Sequence, residues 1–435
     1  MNQAKSTSPY IDTLSIGFGP AGLALACVFD EAFHAQGGHG MRGFLALEKA
    51  QDSAWHPNLL LHSTDINHHV YRDLVTPRNP QSPYSFAMYL KEKNRLFKFG
   101  LLGRPASRFE WSDYMTWVGA KLAPYVRYDH GVQAIEPLLE DGELVSLRVM
   151  GDGFSYETRK LILSNGSTPN VPDLFARHLG SHVFHASEYL QRLAELKGNM
   201  PRRWLVLGSG QSAGEVVADL IQQREDIHVT SVHRSIGFKV AQLGQFPNLV
   251  FLPERIEYFK RLDDEGRSRF FSHVKGTNYS GIDVDESQHL YSLIYEDEIA
   301  GRERLSMAVS AEVLTFQQVP DGYQVTLRDV FTGEVTEHVV DAIVLGTGYR
   351  QAKIPPLLEP LEQYLVKDSQ GGLQVNSQYQ VALRNSRNVQ VYVNGLSERT
   401  HGISDGQSFS AVAYRAGVIH EALLSSVVEP VNYSI

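Results

Sequence analysis

The sequence predicts an α/β protein made of two Rossmann-like dinucleotide-binding domains and a small helical region. Two glycine-rich turns support this fold class, because each lies between a short apolar strand and a helical pattern. Size supports it as well, since 435 residues are enough for two or three domains of roughly 100–200 residues each. The composition, with 43% hydrophobic and 20% charged residues, is that of a folded globular chain.

The first glycine turn follows an apolar strand at residues 11–16 and opens a helix. We predict that Gly17, Gly19, Pro20 and Gly22 bind a dinucleotide, because a turn without side chains lets backbone amides approach a pyrophosphate. The next apolar run ends in Glu48, which is suited to accept hydrogen bonds from ribose hydroxyls. Its offset from the glycines is longer than the usual ~20 residues.

The second glycine turn follows the strand pattern at residues 203–207 and contributes Gly208, Gly210, Gln211 and Ser212. One such turn is weak evidence, but two in the same strand–turn–helix context predict two bound dinucleotides.

A cation that accepts a 2′-phosphate belongs just past the second strand of such a unit, and Arg234 and Ser235 occupy this position. The pair therefore favours NADPH over NADH. The alternative is a surface arginine at a strand end.

Two further apolar runs, 161–172 and 341–350, end in small turns and indicate that the chain leaves one domain and later returns to it. We therefore predict a discontinuous FAD-binding domain at residues 1–195 and 336–435. An NADPH-binding domain is predicted at 196–245 and 301–335, with a small helical substrate-binding region at 246–300.

Charge and cysteine content exclude several classes of protein. A net charge of -9 argues against a nucleic-acid partner, and the single cysteine, Cys27, excludes an internal disulfide and a redox-active CxxC pair. No stretch of 18 apolar residues and no signal-peptide pattern occurs, so we predict a cytoplasmic protein without integral membrane association. His62, His68 and His69 lack a carboxylate or cysteine partner at ligand spacing, so we predict no metal site.

Several ordered motifs extend over nearly the whole chain. They are Trp55-His56-Pro57, YRDLVTPRNP at 71–80, GSGQSAGE at 208–215, TNYS at 277–280, GTGY at 346–349 and HGISD at 401–405. With these motifs the chain resembles the class B flavin-dependent N-hydroxylating monooxygenases, the L-ornithine N5- and L-lysine N6-monooxygenases of siderophore biosynthesis.

The resemblance implies that NADPH reduces FAD, that O2 then adds to the flavin, and that one oxygen atom passes to a neutral amine. It further implies a homo-oligomer. Family positions near the cofactors correspond to Trp55, His56, Gly348, Tyr349 and Asn67. Asn67 stands where the family usually has a glutamine, and we assign it a catalytic role as well.

The substrate-binding positions also follow from the resemblance. Arg72 corresponds to a family lysine that binds the substrate α-carboxylate, and arginine can serve there through two parallel hydrogen bonds. The alternatives are a local pair with Asp73 or a solvated loop charge. Asn248 corresponds to an asparagine at the same carboxylate end, and Asn278 to one near the reacting amine, where we assign it a catalytic role too; the alternative for both is a turn asparagine.

The segment after His401-Gly402 is longer and more polar than is usual in the family. We expect Phe409 and Ser410 to contact the substrate and Ser408 to contact the cofactor. The alignment of residues 403–412 with the family is left open. The expected substrate is a basic amino acid, ornithine first, then lysine and arginine. Alternatives are a diamine, a Baeyer–Villiger or S/N-oxygenating flavin monooxygenase, and a non-catalytic flavin-binding sensor.

Overall fold

The computed structural model describes residues 8–38, 43–277, 281–406 and 408–425. In chain order the strands are β1 Thr13–Ile16, β2 Phe44–Leu47, β3 Val126–Arg127, β4 Val132–Glu140, β5 Glu143–Gly151, β6 Phe154–Thr158, β7 Lys160–Leu163, β8 Thr168–Pro169, β9 Val183–His185, β10 Arg203–Leu207, β11 His228–Val232, β12 Leu305–Ala308, β13 Ala311–Val319, β14 Gly322–Asp329, β15 Val335–Val340, β16 Ala342–Leu345, β17 Tyr349–Arg350 and β18 Gln390–Val393.

The α-helices alternate with these strands in both halves of the chain. In chain order they are α1 Pro20–Ala35, α2 Phe86–Glu92, α3 Leu96–Leu102, α4 Arg108–Lys121, α5 Asp173–Ala176, α6 Tyr189–Leu196, α7 Gln211–Gln223, α8 Gln245–Asn248, α9 Pro253–Lys260, α10 Asp264–Val274, α11 Val284–Ile299, α12 Glu398–His401 and α13 Val412–Ser425.

Two five-stranded parallel sheets form the two domains, in the orders β18-β7-β1-β2-β3 and β12-β11-β10-β16-β9. The central strands, β1 and β10, are mostly buried, as parallel strands covered on both faces are. Each glycine turn follows the central strand of its sheet and leads into α1 or α7. The predicted α/β fold class with two Rossmann-like domains is confirmed.

Each domain also contains a three-stranded antiparallel meander, β4-β5-β6 in the first and β13-β14-β15 in the second. Each meander leads directly into a strand of the parallel sheet, β7 or β16. The two domains are therefore built to the same plan.

The chain passes from one sheet to the other at positions that differ from the predicted domain boundaries. The prediction put residues 183–185 and 342–345 in the first domain, but β9 and β16 pair in the second sheet. The chain crosses between β7 and β9 and returns after β16, where β8 and β17 pair in antiparallel fashion. An apolar run shows that a strand exists but not which sheet it joins, and β9 is a three-residue edge strand with no glycine turn to mark it.

The helical region between β11 and β12 contains α8 to α11 and contacts both domains. α11 packs on α7, where a Cβ added at Gly214 would lie 3.5 Å from the Leu290 side chain. Val250 and Phe251 pack against Ile403 of the first domain. Within the described ranges, no helix is both long and apolar enough to cross a bilayer.

Candidate active site

The candidate active site is a cleft made of two cavities that share a wall. One cavity, of about 380 Å³, lies at the first glycine turn. The other, of about 660 Å³, extends from the second glycine turn to Arg72. Both volumes lie in the range of small-molecule and cofactor sites. Five residues line both cavities: Trp55, His56, Tyr349, Ser408 and Phe409.

The glycines of the first turn have two different roles. Gly17 has φ +100°, and a Cβ there would lie 2.5 Å from the Ser164 carbonyl oxygen, while a Cβ on Gly22 would collide with the Gly17 carbonyl. These two glycines allow close packing. A Cβ on Gly19 would meet nothing within 4 Å, so the space over Gly19 is open to a ligand.

The N-terminus of α1 is equipped to bind an anion. Gly19 precedes the helix without a side-chain cap, and Pro20 begins it. The first amide groups of a helix have no partner inside the helix and attract a phosphate. Gly17, Gly19 and Pro20 line the smaller cavity, whereas Gly22 lies behind it.

Glu48 lines the smaller cavity, as the ribose prediction requires. Its carboxylate accepts hydrogen bonds from the backbone amides of Phe18 (2.7 Å) and Ala50 (2.9 Å). Each carboxylate oxygen retains acceptor capacity for a ribose hydroxyl. The long spacing between the glycine turn and Glu48 does not displace Glu48, because β2 pairs with β1 in parallel register. The extra residues lie between α1 and β2.

Sequence reasoning missed other residues of the smaller cavity, namely the segment 164–167 together with Asn394, Gly395 and Arg415. Arg415 is buried, donates to Asn394 Oδ1 (2.7 Å) and forms an ion pair with Asp405. These groups come from the ends of β7 and β18 and from α13. The run at 161–172 marked one of these strand ends, but no local signal joins it to the other two.

The second glycine turn repeats the arrangement of the first. A Cβ on Gly208, which has φ +142°, would collide with the Gly346 carbonyl, whereas a Cβ on Gly210 would meet nothing within 4 Å. α7 begins at Gln211 without a side-chain cap. Gly210, Gln211 and Ser212 line the larger cavity, and Gly208 packs behind them. Both glycine sites therefore fit a dinucleotide pyrophosphate.

Aromatic rings form the wall between the two cavities. The Phe409 ring centroid lies 5.4 Å from that of Trp55, 5.2 Å from His68 and 5.5 Å from Trp111. These rings give the junction of the two cavities an apolar surface. Phe409 and Ser408 line both cavities, and their contacts with substrate and cofactor stay predictions.

Two polar groups lie beside this wall, the neutral ring of His56 and the hydrogen-bonded backbone carbonyl of Gly348. Burial, and to a lesser extent the nearby Arg108, lower the pKa of His56 to about 4, so its ring is neutral at pH 7. The Gly348 carbonyl accepts hydrogen bonds from His185 Nε2 (2.9 Å) and from the Asn170 amide (2.8 Å). This fixes the backbone beside Tyr349.

Arg72 lines the larger cavity. Its Nη1 donates to Ser410 Oγ (3.2 Å), its guanidinium carbon lies 5.9 Å from the Phe251 ring centroid, and burial lowers its pKa. The alternative pair with Asp73 is not formed. Asp73 is buried and instead accepts from the amides of Val75 (3.0 Å) and Phe86 (2.8 Å).

Three other predicted substrate or catalytic residues lie near Arg72. Asn248 lines the same cavity, although its Nδ2 donates to the Gly244 carbonyl (3.1 Å), as a turn asparagine does. Asn67 also lines it, in a left-handed conformation with φ +56°. Ser410 reaches the site through its hydrogen bond to Arg72 and is not itself a lining residue.

Carboxylates that the sequence prediction missed surround the nicotinamide side of the larger cavity, where Asp65 and Asp283 are lining residues. Burial and the charge of Asp65 raise the pKa of Asp283 to about 7, and burial and the charge of Glu215 do the same for Glu286. Arg108 is the nearby cation and binds Glu215 through two hydrogen bonds. No sequence motif reports this cluster, because its carboxylates come from three distant segments.

Some predicted site residues lie away from the cavities. Arg234 is exposed just past β11 and lines neither cavity, and the Ser235 hydroxyl donates to the Gly237 carbonyl (2.8 Å). Asn278 lies outside the described residues.

The comparisons with known proteins agree with this cleft. The family described as L-lysine 6-monooxygenase/L-ornithine 5-monooxygenase matches residues 9–351. The crystal structure of an L-lysine 6-monooxygenase from Pseudomonas syringae superimposes with a TM-score of 0.88, at 51% identity, over 96% of this chain and 100% of that one.

Two relatives named for ornithine are more distant. An ornithine N-hydroxylase from Kutzneria sp. 744, whose structure contains reduced FAD, NADP+ and L-ornithine, has a TM-score of 0.88 at 30% identity, covering 96% of this chain and 99% of that one. An L-ornithine N(5)-monooxygenase from Pseudomonas aeruginosa is 33% identical over 414 residues, which are 93% of this chain and 92% of that protein.

Two dinucleotide sites that open into one cleft are typical of flavoproteins that use a nicotinamide cofactor. Within this class, the chain belongs to the L-lysine 6-monooxygenase/L-ornithine 5-monooxygenase family. It is an N-hydroxylating monooxygenase, and its cofactors are FAD and NADPH. The family decides against a Baeyer–Villiger or S/N-oxygenating flavin monooxygenase.

Proposed function

We propose that this protein hydroxylates the side-chain amine of a basic L-amino acid, L-lysine or L-ornithine, with O2 as the second substrate. The first glycine site and Glu48 hold FAD, and the second glycine site holds NADPH. FAD, when bound, passes electrons from NADPH to O2 and delivers one oxygen atom to the amine. The observation that carries the substrate class is Arg72, a cation in the cavity wall without a carboxylate partner among the described residues.

The surroundings of Arg72 suit a carboxylate ligand. One guanidinium nitrogen is held by Ser410, and Phe251 packs against the group, so its direction is fixed before the substrate binds. The remaining donors are available for two parallel hydrogen bonds to a carboxylate. Asn248 adds a polar group to the same cavity. A diamine would instead bring a second ammonium group to this arginine and be repelled.

The choice between the two amino acids rests on the comparisons. Family frequency ranks ornithine first, with arginine third after lysine, whereas the solved structure at 51% identity is named for lysine. We therefore test lysine and ornithine side by side. The product, an N-hydroxy amino acid, suits siderophore biosynthesis. A homo-oligomer and a cytoplasmic location, both predicted from the sequence, remain part of this proposal.

The test is a panel of amines in matched pairs, with hydroxylamine product measured rather than NADPH oxidation. L-lysine is compared with cadaverine and L-ornithine with putrescine, because each pair differs only in the carboxylate. We expect the amino acid to give more hydroxylated product per NADPH than its diamine in at least one pair. Better coupling with a diamine in both pairs would contradict the proposal.

Arg234 is proposed to bind the 2′-phosphate of NADPH. Replacing it by alanine removes a charge-assisted hydrogen bond worth roughly 1.5–3 kcal/mol, so the ratio of kcat/KM for NADPH over NADH should fall about 10- to 150-fold. Steady-state kinetics with both nucleotides measure this ratio. Arg255→Ala, at another exposed arginine, serves as control. An unchanged ratio in Arg234→Ala would show that another residue reads the phosphate.

The affinity for NADPH should fall as the pH rises through 7. Asp283, whose pKa is about 7, is neutral below this pH and anionic above it, and it shares the cavity with Gly210 and Ser212. A new negative charge beside a nucleotide phosphate costs roughly 1 kcal/mol, so KM for NADPH should rise several-fold between pH 6 and 8. Asp283→Asn should flatten this rise, and identical profiles for the two proteins would rule out Asp283 as its cause.

A further inference from the structure

One buried ion pair joins the two domains. Arg108 Nη1 and Nη2 donate to the two carboxylate oxygens of Glu215 at 2.6 Å each, and the side chains are only 9% and 1% exposed. The pair joins α4 of the first domain to α7 of the second. The two parallel hydrogen bonds fix the angle between the partners as well as their distance.

The position of the pair links the two dinucleotide sites. Arg108 is the first residue of α4, which packs into the core of the first domain through Trp111 and Tyr114. Glu215 lies in the first turns of α7, the helix that begins at the second glycine site. The pair therefore connects the nicotinamide-binding helix to the flavin domain.

Further hydrogen bonds extend this connection. Gln211 Nε2 donates to Glu215 Oε1 (2.9 Å), and Gln211 Oε1 accepts from the Asp283 amide (2.9 Å). Arg108 Nη1 also donates to the Leu59 carbonyl (3.3 Å), and Leu59 packs in the core of the second domain. A change in the pair is thus transmitted to Gln211 in the cavity wall and to the start of α11.

Stability alone does not explain this arrangement. Apolar residues of similar volume usually stabilise a buried position as well as an ion pair does, because the pair must lose its hydration. Apolar contacts, however, do not fix an orientation. We propose that the Arg108–Glu215 pair is a positioning contact that holds the nicotinamide domain in register with the flavin domain for hydride transfer. The inference does not depend on which amine is hydroxylated.

The test is the double variant Arg108→Leu/Glu215→Leu, which removes both charges at once and leaves no unpaired buried ion. We expect normal FAD content and a Tm close to that of the unaltered protein. Reduction of FAD by NADPH without amine should slow about 100-fold, the effect of an error of about 1 Å in positioning, while reduction by dithionite stays unchanged. Hydrogen exchange at residues 57–61 and 208–215, measured without NADPH, should increase.

A matched control pair lies away from the first domain. Arg304 contacts Asp297, Glu225 and the Ile221 carbonyl, which all belong to the second domain or the helical region. Arg304 and Asp297 form another two-bond pair, with exposures of 12% and 7%, between α11 and the start of β12. Arg304→Leu/Asp297→Leu should leave FAD reduction by NADPH unchanged. Arg108→Lys keeps the charge but cannot form two parallel hydrogen bonds, so its rate should lie between those of the unaltered protein and the double variant.

Several outcomes would overturn the inference. An unchanged rate of FAD reduction in the Arg108/Glu215 double variant would do so, as would equal slowing in the Arg304/Asp297 control. Loss of FAD from the first variant alone would assign the pair to folding of the flavin domain. If that variant does not fold, Arg108→Lys decides, and a normal reduction rate with normal hydrogen exchange would refute the positioning role.

Discussion

The Arg72→Ala variant is expected to raise KM for the amino-acid substrate by about 10- to 1,000-fold. The loss corresponds to roughly 1.5–4 kcal/mol for a charge-paired hydrogen-bonded contact that is removed from a partly desolvated site. NADPH oxidation without substrate should remain largely intact, because Arg72 lies in the part of the cavity near Asn248 and Phe251. Steady-state kinetics with hydroxylamine detection measure both quantities.

Two comparisons make this prediction specific to a carboxylate. KM for cadaverine should not rise in Arg72→Ala and should fall, because the variant removes a positive charge that repels the second ammonium group of the diamine. Arg72→Lys should lose less than Arg72→Ala, since lysine keeps the positive charge but not the two parallel hydrogen bonds. If KM for the amino acid and for the diamine rises equally in Arg72→Ala, the arginine organises the pocket through Ser410 and does not read the substrate.

The glycine sites were predictable because their signal is local. Gly17 and Gly208 need backbone angles that side chains disfavour, and Gly19 and Gly210 leave open space. All of these requirements fall on a few consecutive residues that follow a buried strand. Glu48 was predictable for a related reason, because parallel pairing of β1 and β2 brings its strand end beside the first turn.

The residues that the sequence did not reveal have long-range causes. Arg108 acquires its position from Glu215, and Arg415 from Asn394 and Asp405. In each case the partner lies on another element, and a lone arginine in a sequence looks like a solvated charge. The predicted domain boundaries were wrong for the same reason, because a strand pattern does not specify which sheet the strand joins.

The resemblance supplied what local patterns lacked at the substrate end. Arg72, Asn248 and Phe409 come from three distant segments, yet all three line the larger cavity. The local alternative of an Arg72–Asp73 pair was reasonable, but Asp73 is used by backbone amides of its own loop. An aspartate followed by turn residues often serves this purpose.

The Gly19→Val variant is expected to lose FAD while remaining folded. Gly19 has φ -71°, which valine can adopt, and a Cβ there meets no protein atom within 4 Å. The branched side chain would therefore occupy the space where backbone amides meet the pyrophosphate. Losing two charge-assisted hydrogen bonds of about 1.5–3 kcal/mol each weakens FAD binding by at least about 100-fold.

The flavin absorbance per polypeptide after purification, and after incubation with added FAD, measures this loss for Gly19→Val. Gly198→Val, at an exposed glycine with equally open space, should retain full FAD. Gly210→Val should also retain FAD but be reduced poorly by NADPH, because its open space belongs to the second glycine site. Full flavin occupancy in Gly19→Val would contradict the prediction that the first glycine turn binds the FAD pyrophosphate. Loss of FAD from Gly210→Val but not from Gly19→Val would indicate that FAD binds at the second glycine turn and NADPH at the first.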